Sequence, residues 1–127
     1  MHSDRNALPV AADTMGVLIR QINWGMMTIS VESFPAGLET APIFVGLPED
    51  RCQCPHWGYV VSGRFRAVYA DRQDVISAGE VFYLEPGHTT IFEEQTETIE
   101  FSPAGEYEKT MEVVGRNVMA MQAGQPG

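Results

Sequence analysis

Between residues 26 and 101 no apolar run lasts longer than a β-strand before a glycine, proline or acidic turn interrupts it. That punctuation excludes long helices over most of the chain and leaves a fold built from short strands. The runs are Met26 to Ser33, Ala41 to Gly46, His56 to Val61, Arg64 to Ala70, Val75 to Ser77, Val81 to Leu84, Thr89 to Phe92 and Thr96 to Phe101. In RFRAVYA, Phe65, Ala67 and Tyr69 alternate with Arg64, Arg66 and Val68, the period of a strand with one buried face. The Ser62-Gly63 connection predicts a hairpin, and Asp71 to Asp74, Gly79 and Pro86-Gly87 predict further turns. Seven or more such strands at close spacing predict an all-β sandwich or barrel over residues 26–101.

The flanks differ. Residues 1–25 are mixed and polar, with Pro9 and Gly16, and read as an arm or a first strand. Ser102-Pro103 reads as a helix cap followed by a first-turn proline. Met111, Val114, Val118 and Met121 then recur at three and four. One amphipathic helix is expected over 102–122, weakened at Gly115 and followed by a frayed tail, 123–127. Its methionines suit packing, in the core or across a homodimer.

Charge narrows the partners. Seventeen acidic against eight basic residues give a net charge of -9, with no basic cluster. Such a surface repels phosphate backbones, so no nucleic-acid partner is expected. No apolar run reaches membrane-spanning length. MHSDRNALPVAAD lacks the basic-then-apolar pattern of a secretory signal, so the expected location is cytoplasmic. Two cysteines are too few for a disulfide framework.

Those two cysteines fall in DRCQCPHWGYVVSG, where Cys52, Cys54 and His56 occupy every second position. Alternate positions of a strand share a face. The three would span about 13 Å at ~3.3 Å per residue, too far for one ion unless the chain bulges, and Pro55 supplies the break. The alternative is that the cysteines are small buried hydrophobes and the histidine is hydrogen-bonded.

At Gly63 and Gly79 the two runs resemble the paired motifs of the cupin superfamily, small jelly-roll β-barrels. GEVFYLEPGH, Gly79 to His88, resembles the second motif, although its histidine directly follows Gly87 and Thr90 stands where the family histidine usually lies. In the first motif Gly63 matches the closing glycine, His56 stands at the family glutamate, Cys52 at the second histidine and Asp50 at the first. CPHWGYVVSGR with EPGHT is also similar to a group of small single-domain bacterial cupins. The resemblance covers residues 26–101 and implies a jelly-roll barrel with a short C-terminal helix.

It also implies that both motif strands line a ligand cavity, which brings His88 toward the cysteine string. Two thiols and two imidazoles form a soft set for one divalent transition metal: Zn, Fe, Ni, Mn or Cu. The candidate ligands are Cys52, Cys54, His56 and His88. Cys54, His56 and His88 are the expected subset, with Cys52 or Asp50 nearby. His88, at a strand mouth, is also the candidate general base, unless it is an exposed turn residue. Trp57, Tyr59, Phe82 and Tyr83 are the candidate walls of a pocket for a small organic ligand, or else core packing. Two functions follow. One is a metal-dependent enzyme of oxygenase, isomerase or lyase type; the other is a metal-free ligand-binding or sensing module. A structural homodimer is a third reading.

Overall fold

A computed structural model of the protein describes residues 1–124. Its first strands come from the segment read as an arm or first strand. Val10–Thr14 (β1) and Val17–Trp24 (β2) form a hairpin around Met15 and Gly16. Both turn residues have positive φ, 53° and 78°, the backbone that two-residue hairpin loops require. Gly25, at φ 62°, starts the next turn, into Met27–Phe34 (β3).

Six more strands follow: His56–Ser62 (β4), Arg64–Val68 (β5), Gln73–Ser77 (β6), Val81–Leu84 (β7), Thr89–Phe92 (β8) and Thr96–Pro103 (β9). They pair antiparallel into a six-stranded sheet, β1-β2-β3-β9-β4-β7, and a three-stranded sheet, β6-β5-β8. The run Ala41 to Gly46 is not a strand. Ala41–Phe44 is a 3₁₀ turn with Pro42 at its start, where the missing N–H costs no hydrogen bond.

Ser62-Gly63 is a corner rather than a hairpin. β4 pairs with β7 and β9, whereas β5 pairs with β6 and β8, so the chain changes sheets between them. Gly63 has φ 85°, and a Cβ there would lie 2.1 Å from the Gln95 carbonyl oxygen. Only glycine permits that crossing.

The two sheets enclose one buried cluster, Val60, Phe65, Ala67, Tyr69, Ile76, Phe82, Leu84 and Phe92. A second cluster joins Phe44, Leu47, Cys52 and Cys54 to Val114 of the only α-helix among the described residues, Ala104–Ala123 (α1). Tyr107, Met111 and Val118 pack on it, so the predicted stripe holds at Met111, Val114 and Val118, while Met121 is exposed. Asn117 secures the helix by donating from Nδ2 to the carbonyls of Ile43 and Val45, each at 2.8 Å. The helix begins after Pro103 with no side-chain cap. Ser102 belongs to β9 instead, and its hydroxyl is used inside the barrel. Of the expected tail, Ala123 ends α1 and Gly124 follows it, while 125–127 lie outside the described residues.

Candidate metal centre

Polar residues occupy the inner parity of two neighbouring strands. Thr28, Ser30 and Glu32 on β3, and Thr96, Thr98 and Ser102 on β9, are all buried. Glu32, Thr98 and Glu100 border a cavity of about 500 Å³ between the sheets and α1. Its remaining wall is largely apolar, with Phe34, Phe65, Leu84, Phe92, Met111 and Val114 among the lining residues.

Cys52, His56 and His88 lie on the same wall, and their candidate ligand atoms fall within 4.8 Å of one another. Each is placed by local structure. Glu49 and Asp50 take positive φ, 59° and 56°, and turn the chain back after Pro48. Cys52 then bridges to His88: its N–H donates to the His88 carbonyl at 2.9 Å, and the Gly87 N–H donates to the Cys52 carbonyl at 2.7 Å. A bend follows at Cys54, and β4 starts only at His56. The bend replaces the extended alternation and lets Cys52 Sγ approach His56 Nε2 to 3.7 Å.

That arrangement changes the expected subset. Cys52, not Cys54, stands beside the two histidines. Cys54 is buried, with its sulfur 3.5 Å from the Pro55 carbonyl, in the apolar cluster under α1. Asp50 is turned away, accepting from the Gly46 N–H at 2.9 Å.

The donor set suits a transition metal. His88 Nδ1 donates to the Glu85 carbonyl at 2.7 Å, which leaves Nε2 as the basic nitrogen. His56 Nδ1 shares a 2.6 Å hydrogen bond with Ser102 Oγ, leaving its Nε2 toward Cys52. Metal-binding histidines are characteristically held in this way through the second nitrogen. A tetrahedral ion with bonds of about 2.3 Å to sulfur and about 2.0 Å to nitrogen would separate them by about 3.5 Å, close to the 3.7 Å between Cys52 Sγ and His56 Nε2. Three protein ligands leave a fourth position open, as in catalytic rather than structural sites.

Burial keeps these groups neutral without an ion. It lowers His56 to about 3, with the nearby His88 adding to the effect, and it lowers His88 against the pull of the Glu85 carbonyl. The same burial pushes the Cys52 thiol up to about 12. A divalent ion reverses the cost for the thiolate by supplying the missing opposite charge.

The four aromatic residues expected to wall the pocket do not line it. Trp57, Tyr59 and Tyr83 are 42% to 46% exposed on the outer face of the six-stranded sheet. Trp57 and Tyr83 stack there, with centroids 5.1 Å apart. Phe82 is buried edge-on against Phe65, 5.4 Å between centroids. The parity of β4 explains the split: His56 and Val60 point inward, so Trp57 and Tyr59 point outward.

The residues that do complete the site drew no attention in the sequence. Glu32 and Glu100 are diagonal neighbours on adjacent strands, since Glu32 pairs with Thr98 and Ser30 with Glu100. Burial raises Glu32, while hydrogen bonding from Glu100 and Thr98 opposes the rise. Burial also holds Glu100 well above the carboxylate range, and the charge of Glu32 adds to it. Tyr107 reaches over from α1, its hydroxyl accepting from Gln21 Nε2 at 3.1 Å. The available signal was the series Thr-x-Ser-x-Glu in β3 and Thr-x-Thr-x-Glu-x-Ser in β9, polar at every second place.

No known family model matches the chain, and no curated protein matches its sequence. Solved structures do match in shape. An RmlC-like cupin from Shewanella frigidimarina aligns over 80% of this chain and 88% of its own, at TM-score 0.58 and 17% identity. The polyketide cyclase RemF from Streptomyces resistomycificus aligns over 81% and 78%, at TM-score 0.60 and 14% identity. The Cnp3 cupin domain of Schizosaccharomyces pombe aligns over 81% and 73%, at TM-score 0.57 and 11% identity. The fold is thus a cupin jelly roll with one C-terminal helix.

Proposed function

We propose that this cupin barrel holds one divalent transition metal through Cys52, His56 and His88 and uses it on a small organic molecule bound in the cavity. The convergence of three buried ligand atoms within 4.8 Å on a cavity wall carries the reading. The thiolate and two imidazoles favour Zn, Fe or Cu over hard cations. When bound, the ion would supply Lewis-acid polarisation of a substrate oxygen, which serves isomerase and lyase reactions, whereas an oxygenase reaction would need a redox-active ion such as Fe or Cu with O2 as the oxidant. The chain does the rest. Ser102 and the Glu85 carbonyl fix the imidazole orientations, and the phenylalanine walls exclude water. Cys54 stays in the helix packing.

The alternative is a metal-free binding or sensing module, in which His88 Nε2 is a base or acceptor facing the ligand. Elemental analysis of untagged protein beside Cys52→Ala and His56→Ala separates the two. About one metal per chain, lost in both variants, supports the metal reading. No metal in the wild type after reconstitution under reducing conditions overturns it.

Two further expectations belong to the same reading. A reducing cytoplasm suits two free cysteines, one of them a ligand, and no helix among the described residues is long and apolar enough to cross a membrane. A homodimer is supported by Met119 and Met121, which α1 leaves exposed. Light scattering that returns the monomer mass removes it.

A further inference from the structure

The polar groups facing the cavity are unbalanced in kind. No lysine or arginine lines it. Glu32 and Glu100 face it from β3 and β9, and the exposed Glu39 lines the same space nearer solvent. Three of the threonine hydroxyls there are engaged within the protein. Thr40 and Thr90 bond each other at 2.9 Å, and Thr98 bonds Glu32 at 3.4 Å.

In the metal-free protein, His88 gives a second sign of a ligand. Its side chain is 2% exposed and its Nδ1 is committed to the Glu85 carbonyl. Nε2 has no hydrogen-bond partner among the described residues, and His88 lines the same cavity. A buried imidazole with its proton on Nδ1 offers Nε2 only as an acceptor. Carboxylate oxygens are acceptors too. The cavity therefore presents acceptors and a carboxyl pair whose proton a bound cation can replace, in an apolar enclosure, and what suits it brings donors and positive charge.

We infer that the cavity binds an organic amine in its protonated form, with the ammonium group held by Glu32 and Glu100 and the hydrocarbon body against the phenylalanine wall. A buried carboxylate needs a cation beside it or else takes up a proton, and the two-carboxyl site has no protein cation among its lining residues. An ammonium supplies three donors in a compact charge. Phe34, Phe65 and Phe92, stacked in sequence on one another, line the space and offer apolar surface to the hydrocarbon body. A volume of about 500 Å³ accommodates an amine with one or two rings. The acidic surface, net -9, draws cations toward the opening. The ammonium subsite itself is formed by Glu32 and Glu100, which are not among the three metal ligands, whereas the His88 acceptor is available to a ligand only in the metal-free protein.

Calorimetric titration tests this with 2-phenylethylamine and its neutral counterpart 2-phenylethanol, on chelator-treated and on zinc-loaded protein. The amine should bind at least about tenfold more tightly than the alcohol, equivalent to roughly 1.4 kcal/mol. In Glu32→Gln/Glu100→Gln that preference should disappear, with the apolar contribution of the ring retained. Circular dichroism confirms that the variant is folded, and the amine-to-alcohol ratio in the wild type needs no variant at all. Equal binding of both compounds, no binding of the amine, or an amine preference that survives in the folded double variant overturns the inference. Failure with the amine while zinc still binds stoichiometrically leaves the metal reading intact. Amine binding in protein that takes up no zinc does the reverse.

Discussion

Replacing Ser102 by alanine tests the metal centre without touching a ligand. Ser102 is buried on β9, and its only side-chain hydrogen bond among the described residues is the 2.6 Å contact with His56 Nδ1. When Nδ1 donates to that hydroxyl, Nε2 is left free for an ion. Without it, the imidazole loses both its orientation and the preference for that tautomer. Removing such a partner lowers metal affinity by about 10- to 100-fold, or roughly 1.4 to 2.8 kcal/mol. The metal-free protein should also lose about 1 to 3 kcal/mol of stability, because Nδ1 is left buried and unpaired. The assay is cobalt(II) titration against a competing chelator, followed by visible absorption and paired with urea unfolding of the metal-free protein. Ser102→Thr, which keeps the hydroxyl, should recover most of the affinity. Wild-type cobalt affinity in folded Ser102→Ala would refute the assignment of His56 as a ligand through Nε2.

Stability should change with pH in opposite senses on either side of its maximum. His56 titrates at about 3 in the fold against roughly 6.5 unfolded, so the unfolded chain binds more protons and stability falls as pH drops through that interval. Glu32 and Glu100 are raised in the fold, so the folded chain retains protons that the unfolded chain gives up above about 4.3. Stability therefore declines as pH rises from there through their folded values. Urea midpoints across pH should show a dome, and Glu100→Gln should flatten its upper side; an unchanged upper side contradicts the buried carboxyl pair. Gly63→Ala should lower the urea midpoint by about 3 kcal/mol or more in stability or leave the protein insoluble, since its Cβ would meet the Gln95 carbonyl at 2.1 Å. Trp57→Ala/Tyr83→Ala should alter fluorescence and cost about 1 kcal/mol of stacking with cobalt affinity unchanged. A loss of cobalt binding would show that the outer face communicates with the site.

Much of the architecture is legible because turn chemistry is local. The Pro86-Gly87 turn, the Phe65-Ala67-Tyr69 face and the Met111-Val114-Val118 stripe all keep their roles in the structure. The misreadings arise where a tertiary contact overrides a local rule. Ser62-Gly63 has hairpin composition, but pairing of β4 with β9 and of β5 with β8 makes it a corner. Ser102 has cap composition, but on the adjacent strand β4 it meets His56, and its hydroxyl pairs with the imidazole instead. Residues 1–25 read as an arm or one strand rather than the two that form, because Arg20, Gln21 and Asn23 dilute the apolar residues of β2, although every position from Leu18 to Trp24 pairs with β3.

The site is less legible than the fold, and for one physical reason. Trp57, Tyr59 and Tyr83 are the expected pocket walls, Ser102 is read as a helix cap, and nothing singles out Glu32 or Glu100. In the structure the aromatic residues lie outside the cavity, and β3 and β9 are inverted, with their polar residues inward. A barrel filled only for stability would not bury Thr28, Ser30, Glu32, Thr96, Thr98 and Ser102 while leaving three aromatic residues half exposed. Burying hydroxyls and carboxyls costs free energy even when they are hydrogen-bonded. Local rules fail in this concentrated way at functional sites. The three metal-ligand candidates and the two carboxyls lie on the inverted strands or directly beside the barrel mouth. Cys52 could not be told from Cys54 in the sequence, because both fit the alternation of an extended chain. Only the bend at Cys54, and the bridge between Cys52 and His88, decide which sulfur reaches the imidazoles.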